Sequence, residues 1–415
     1  MAPPKRRAVI TGIGIVAPNG NDLASFWSNL CSGNSAAAFV NRIDTSGLPG
    51  KVACLLRHFN PREYLSPAAA NSLPPAIQYG VAAAGLAVKD AAIDLHGVDP
   101  DRIAIVGANS PGTGDPLRFN EDLFPNANGS HDKLSVLINA QAGGSGTAVA
   151  VELGIQGHSW NFSTSASTGA DTLGHALALV RDDDADIAIA GAAEAPITPG
   201  YWGIFCASNQ MSREADKPGR AMKPFSRERD GFILGEGAAF LIVEELTFAL
   251  KRGATIYAEI LGYARHFNSP GCGETNGSSG FGSLEKALRR ANLHPGELNY
   301  LNAHGTATPH GDSAETRALK AVFGSDARTV QISATKPVTG HWVGAAGPLE
   351  AAICALAIRN GELPPTINLT APDPDCDLDY VPIQSRRFPV TTAASLNAGF
   401  DGSNTCLVLG NPSAL

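Results

Sequence analysis

The segment "HSWNFSTSASTGADTLGHALALVRDDDADIAIAGAAEA" (158–195) decides the fold class. Its first residues, "HSWNFST", are aromatic and polar and read as an extended strand. "GADTLGHALALVRDD" then spaces its apolar residues as a helix does, and "DIAIAGAAEA" is a short apolar run of strand length. Strand, helix and strand within 40 residues or so indicate α/β layering with covered sheets.

The same alternation runs outward in both directions. Upstream, "RAVITGIGIVA" (7–17) is a buried strand, "DLASFWSNLCSG" a helix, "AIQYGVAAAGLAVKDAAI" (76–93) a long alanine-rich helix and "RIAIVGAN" (102–109) another buried strand. "INAQAGGSGTAVAVELG" is read as helical. Downstream the pattern restarts near 252: "TIYAEILGYARHF" strand, "SLEKALRRANL" helix, "ELNYLNAHG" strand, "SAETRALKAVFG" helix, "TVQISATK" strand and "GAAGPLEAAICALAIRN" helix. "AASLNAGF" and "NTCLVLG" close the chain as strands. No Pro/Ser-rich linker separates 1–252 from 253–415, so the expectation is one integrated unit of two similar halves. The Gly/Ser-rich loop 267–282 reads as a surface excursion bordering a site at most.

Composition narrows the function. With 415 residues, 44% hydrophobic and 17% charged, the chain has the balance of a globular enzyme. A net charge of −8 disfavours nucleic-acid or anionic-membrane partners. No run approaches the ~20 apolar residues of a membrane span, and the short N-terminal apolar run is a strand rather than a signal peptide. The expected location is cytoplasmic. Seven cysteines lie scattered without metal-type spacing, as reduced thiols do.

Chemistry-bearing residues gather in the second half. "NAHGTATPHGDSAET" (303–317) places His304 at a strand end, and "TKPVTGHWVGAAG" (335–347) places Lys336 and His341 around a Pro-containing turn before a helix. Strand ends are where α/β sheets assemble sites. "SATK" (333–336) matches Ser-x-x-Lys, but Ser333 sits in a strand and Pro337 follows the lysine, so the match is chance. "GIGIVA" (12–17) is an incomplete dinucleotide fingerprint.

These motifs, with "KPFSRERDGFILGEGAAFLIVEE" and "NAGFDGSN", resemble the β-ketoacyl-acyl-carrier-protein synthases, the elongating class of fatty-acid and type II polyketide synthesis. The resemblance runs from "VITGIGIVAPNG" to "CLVLG". It implies the thiolase fold, α/β with two similar layered halves. It also implies decarboxylative Claisen condensation on phosphopantetheine-borne thioesters, with no separate cofactor and no metal. The implied partners are an acyl carrier protein and a dimer mate, identical or a second ketosynthase-like subunit, which meets the strand "HSWNFST". Nucleic acid and membrane are not implied. By resemblance, His304 and His341 bind the malonyl thioester carbonyl, Lys336 is the supporting cation and Glu315 orients the group. Thr306 and Thr308 line the phosphopantetheine channel. Phe400 is the gate, and its N–H is half of the acyl oxyanion hole. A thiolase-type enzyme would need a second cysteine in the "NAGFDGSN" loop, and Cys406 lies beyond it.

The family nucleophile is a cysteine at the head of a buried helix, made reactive by the helix N-terminus. "STSASTG" (163–169) aligns Ala166 with that position. Ser165 and Ser167 flank it, and on a helix neighbouring residues point about 100° apart, so neither is expected to replace the thiol. Two origins fit: a natural cysteine replaced deliberately, or a native alanine in a non-condensing relative, either a decarboxylase or a chain-length-factor partner. Retention of His304, Lys336 and His341 fits the replaced cysteine first and a decarboxylase second. Further departures are Asn209 where the family carries a carrier-facing arginine, with Lys223 or Arg227 as substitute cations, Asp401 where the gate motif has glycine, and a reworded 267–282 loop.

Overall fold

The computed structural model describes residues 6–20, 22–110, 144–268 and 281–412. The 267–282 loop and the start of the helix read over 138–154 therefore fall largely outside the described residues.

One repeat of elements appears twice. The first copy is β1 (Ala8–Val16), α1 (Pro75–Asp90), β2 (Ile103–Ala108), α2 (Ser145–Leu153), β3 (Ser159–Phe162), α3 (Thr168–Arg181), β4 (Ile187–Glu194) and β5 (Gly237–Glu245). The second is β6 (Ala258–Phe267), α4 (Gly282–Arg290), β7 (Tyr300–Asn302), α5 (Gly311–Phe323), β8 (Gln331–Ser333), α6 (Ala346–Asn360), β9 (Thr392–Ala398) and β10 (Ser403–Gly410).

The strand order is β1-β5-β4-β2-β3 in one half and β6-β10-β9-β7-β8 in the other. In both, the first three strands pair antiparallel and the last two join in parallel. The halves meet edge to edge where Val9 and Ile10 oppose Glu259 and Ala258, so the described strands form one ten-stranded sheet. Three short strands, Ala37–Phe39, Val52–Cys54 and Leu234–Gly235, make a small separate sheet that the sequence reading did not anticipate.

Helices α3 and α6 lie between the two halves of the sheet and contact strands of both, while α1 and α2 cover one outer face and α4 covers the other. That placement explains their composition. Every residue of α6 from Ala346 to Ile358 is buried, and a helix apolar on all sides belongs in an interior. The glycines of "GIGIVA" have a packing role rather than a nucleotide-binding one. Gly14 of β1 lies so close to the backbone of α1 that a Cβ would collide with the Ala83 carbonyl.

Candidate active site

The strand ends of the second half deliver the histidines. His304 follows β7, and His341 follows a short helical turn, Lys336–Thr339, after β8. Their rings lie 5.6 Å apart between centroids at 85° to one another, edge to face. The Ala398 N–H points at His304 Nδ1, at 3.4 Å. That nitrogen is thus an acceptor and the ring proton sits on Nε2. Burial, then Lys336 and His341, depresses the His304 pKa well below the usual histidine range. Burial and Lys336 do the same to His341. Both rings are therefore neutral near pH 7.

Three carboxylates hold this arrangement from beneath. Glu315, buried on α5, accepts the N–H groups of His304 and Gly305, each at 2.8 Å. Asp312, one turn earlier, accepts from Phe225 and Ala307 at 2.7 and 3.0 Å. Lys336 is 1% exposed; its ammonium donates to the His304 carbonyl at 2.6 Å and pairs with Glu350 of α6. Burial pushes Glu350 up to about 7 against the pull of Lys336. Asp312 and Glu350 were not singled out from sequence. Asp312 lies within the His304 motif and Glu350 three residues past the end of the His341 motif, and a carboxylate on a helix ordinarily faces solvent.

A cleft of about 290 Å³ opens above the histidines. His304, His341, Thr306, Thr308, Glu315 and Phe400 line it, together with Asn209, His310 and Gly399. Thr306 and Thr308 are nearly buried, with hydroxyls 3.3 Å apart. Phe400 is 39% exposed. Phe232 connects Phe400 to the histidines: its ring lies 6.1 Å from that of Phe400 and 5.4 Å, edge-on, from His341.

Ala166 is buried among Ile197, Trp202, Phe232 and Val343 and is not on the cleft wall. Helix α3 begins only at Thr168, so the 100° helical spacing does not govern Ser165. This serine has φ 64°, a left-handed conformation, and its Oγ lies beside Gly399 of the cleft. Ser167 bonds to Ser403 at 3.1 Å. The flanking hydroxyls thus turn toward the second half for a reason other than helix geometry.

One further expectation is corrected, and the dismissal of another motif is supported. Lys223 is 9% exposed with its ammonium 3.8 Å from the Asp230 carboxylate, so it is largely withdrawn from the surface and does not suit the role of a docking cation. Ser333 is fully buried against Tyr300 OH at 2.8 Å, which disposes of the Ser-x-x-Lys match. Among the described residues no cluster of His, Cys, Asp or Glu suited to a metal ion occurs. No described helix is long and apolar enough to cross a membrane.

Comparison with known proteins agrees with the geometry. The N-terminal domain model of beta-ketoacyl synthase matches residues 5–249 and the C-terminal domain model matches residues 257–370. The 3-oxoacyl-[acyl-carrier-protein] synthase 2 of Coxiella burnetii is 37% identical, the match covering 98% of each chain. Its counterpart in Staphylococcus aureus (strain N315) is also 37% identical, over 97% of this chain and 98% of that one. Among solved structures, the ishigamide ketosynthase/chain length factor superposes with a TM-score of 0.89 at 30% identity, over 98% of this chain and 99% of that one. The AntDE:AntF complex, a type II PKS acyl-carrier protein with its ketosynthase bound to the hexaketide, gives 0.87 at 33% identity with the same coverage. The duplicated sheet is the thiolase fold, and the chain belongs to the beta-ketoacyl synthase family.

Proposed function

We propose that this protein acts on acyl-carrier-protein thioesters in fatty-acid or polyketide synthesis. The parent chemistry is that of a 3-oxoacyl-carrier-protein synthase, and with Ala166 in place the chain carries only its decarboxylation half. The observation that carries the reading is the pair of neutral histidines, His341 buried and His304 partly buried, that meet edge to face at the floor of the cleft. A malonyl thioester carbonyl oxygen fits between two such donors. As the C–C bond to the carboxylate breaks, CO₂ leaves and the electron pair moves to that oxygen. The ring N–H groups stabilise the enolate where water cannot. Thr306 and Thr308 line the phosphopantetheine arm, Glu315 and Lys336 hold the His304 loop, and Phe400 stands at the mouth. With no sulfur at 166 there is no acyl-enzyme for the enolate to attack, so it takes a proton and leaves as acetyl-carrier protein.

The carrier protein is the partner that this substrate requires. The edge strand β3, with Trp160 47% exposed, suits a dimer mate, identical or a second ketosynthase-like subunit. Residues 1–252 and 253–415 act as one unit, since the second half supplies the histidines and the first supplies position 166.

The test is mass spectrometry of malonyl-carrier protein incubated with the chain. The expected result is acetyl-carrier protein with no acyl group retained on residue 166, and a loss of 10²-fold or so on His304→Asn or His341→Asn. Stoichiometric acylation of the chain, or no decarboxylation above background, would sink the reading. Recovery of condensation in Ala166→Cys identifies a replaced cysteine. Continued decarboxylation without condensation identifies a native non-condensing subunit.

A further inference from the structure

Asp401 stands in the gate turn between Phe400 and Gly402, half-buried, and its Oδ1 accepts both the N–H of Ser403 at 3.1 Å and its hydroxyl at 2.7 Å. Ser403 has one hydroxyl proton, and it is committed to Asp401. The hydroxyl of Ser167 lies 3.1 Å from that of Ser403 and also 3.1 Å from the Thr164 carbonyl, so its one proton is shared between these two acceptors. Ser167 in turn receives a hydrogen bond from Arg265 Nη1 at 3.2 Å. A chain of contacts thus links Arg265, Ser167, Ser403 and Asp401. It fastens the 399–403 turn, itself closed by Gly399 N–H to Ser403 O at 2.8 Å, to the residue that follows Ala166.

The charges along these contacts do not cancel. Arg265 is ion-paired with Asp171 of α3, which also accepts from Tyr263 and Thr164. Asp401 makes no ion pair among the described residues. His304 and His341 are neutral, and Lys336 is matched by Glu350. Asp401 Oδ1, Ser165 Oγ and Ser403 Oγ all lie within 3.0 Å of the point where a Cβ on Gly399 would be. Asp401 thus lies close to Ser165 across Gly399 and reaches Ser167 through Ser403, the two residues that flank position 166.

We infer that Asp401 ties the gate turn to the head of α3 and makes position 166 unfavourable to an anion, whether a thiolate or the oxyanion of an acyl adduct. A carboxylate linked through Ser403 and Ser167 to the residue beside 166 disfavours a second negative charge there, as like charges do. Asp401 is then a charge-setting and positioning residue that suppresses the acylation half of the reaction. Decarboxylation, whose charge develops at the histidines, is left free. This rests on the reading of 166 as the nucleophile position.

The test uses the full chain with Ala166→Cys as a reporter, alkylated by iodoacetamide across pH 6 to 10 and read at that peptide by mass spectrometry. Asp401→Asn keeps an acceptor for Ser403 but removes the charge, and Asp401→Ser serves as the second variant. The expected result is an apparent thiol pKa lower by about one unit in either variant than in Ala166→Cys alone, or roughly a tenfold rise in alkylation rate near neutral pH. Coincident pH profiles in all three proteins overturn the inference. The functional reading fails separately: a parent chain that does not decarboxylate malonyl-carrier protein sinks that reading, while an Asp401-dependent thiol titration would still stand.

Discussion

The ammonium of Lys336 donates to the main-chain carbonyl of His304 at 2.6 Å, so the lysine acts on the loop that carries the ring and not on the ring itself. Its other partner, Glu350, is equally buried. A pair of this kind is costly to break from one side, because the remaining group is left buried without its counter-charge. Lys336→Met is expected to lower stability by about 3–5 kcal/mol. The double variant Lys336→Met/Glu350→Leu should recover much of that loss. Urea midpoints at fixed subunit concentration decide the matter, and additive losses in the double variant would show that the two charges are not coupled.

The layering was legible because its signal is local. β-branched runs such as "RAVITGIGIVA" and "DIAIAGAAEA" alternate with helical patterns, and each repeat carries them in the same order. His304, Lys336 and His341 were legible because each follows a strand end. What joins them was not. Glu350 and Asp312 are polar residues on helices, and only the packing of α6 between two halves of the sheet and the burial of the first turn of α5 turn them inward. The strand Leu234–Gly235 is two residues long and has no period to detect. The helical argument about Ser165 failed because a left-handed residue before α3 replaces the helical turn the pattern suggested.

Asp312 supports two left-handed residues at once, Phe225 with φ 62° and Ala307 with φ 59°, by accepting both of their N–H groups. Burial, opposed by these donors, raises its carboxyl from the ordinary 3.8 to about 7. The folded protein thus keeps a proton that the unfolded chain has released. The contribution is fully present below about pH 4 and is lost as pH rises to about 7. Asp312→Asn cannot titrate, so its stability relative to the parent should improve between pH 4.5 and 7.5, by on the order of 3 kcal/mol. Urea unfolding at several pH values measures this. A difference constant with pH would mean that Asp312 is ionised throughout.

The two central helices, α3 and α6, come together at glycines, and this contact sets the distance between position 166 and the His341 loop. A Cβ on Gly169 would strike the Gly344 carbonyl and the Pro348 ring, and one on Gly347 would strike the Ala170 backbone. Neither glycine has a positive φ, so the requirement is space alone. Backbone cannot yield as a flexible side chain can, and overpacking of this kind costs about 1–3 kcal/mol or more. Gly169→Ala should therefore lower the urea midpoint and, by prising α3 from the His341 loop, reduce decarboxylation as well. Gly154 is the control. It has φ 67° with nothing within 4 Å of its Cβ position, so Gly154→Ala should cost about 1 kcal/mol through the backbone and leave the site untouched. If the two variants lose stability equally and keep equal activity, the close approach of α3 and α6 does not set the geometry of the site.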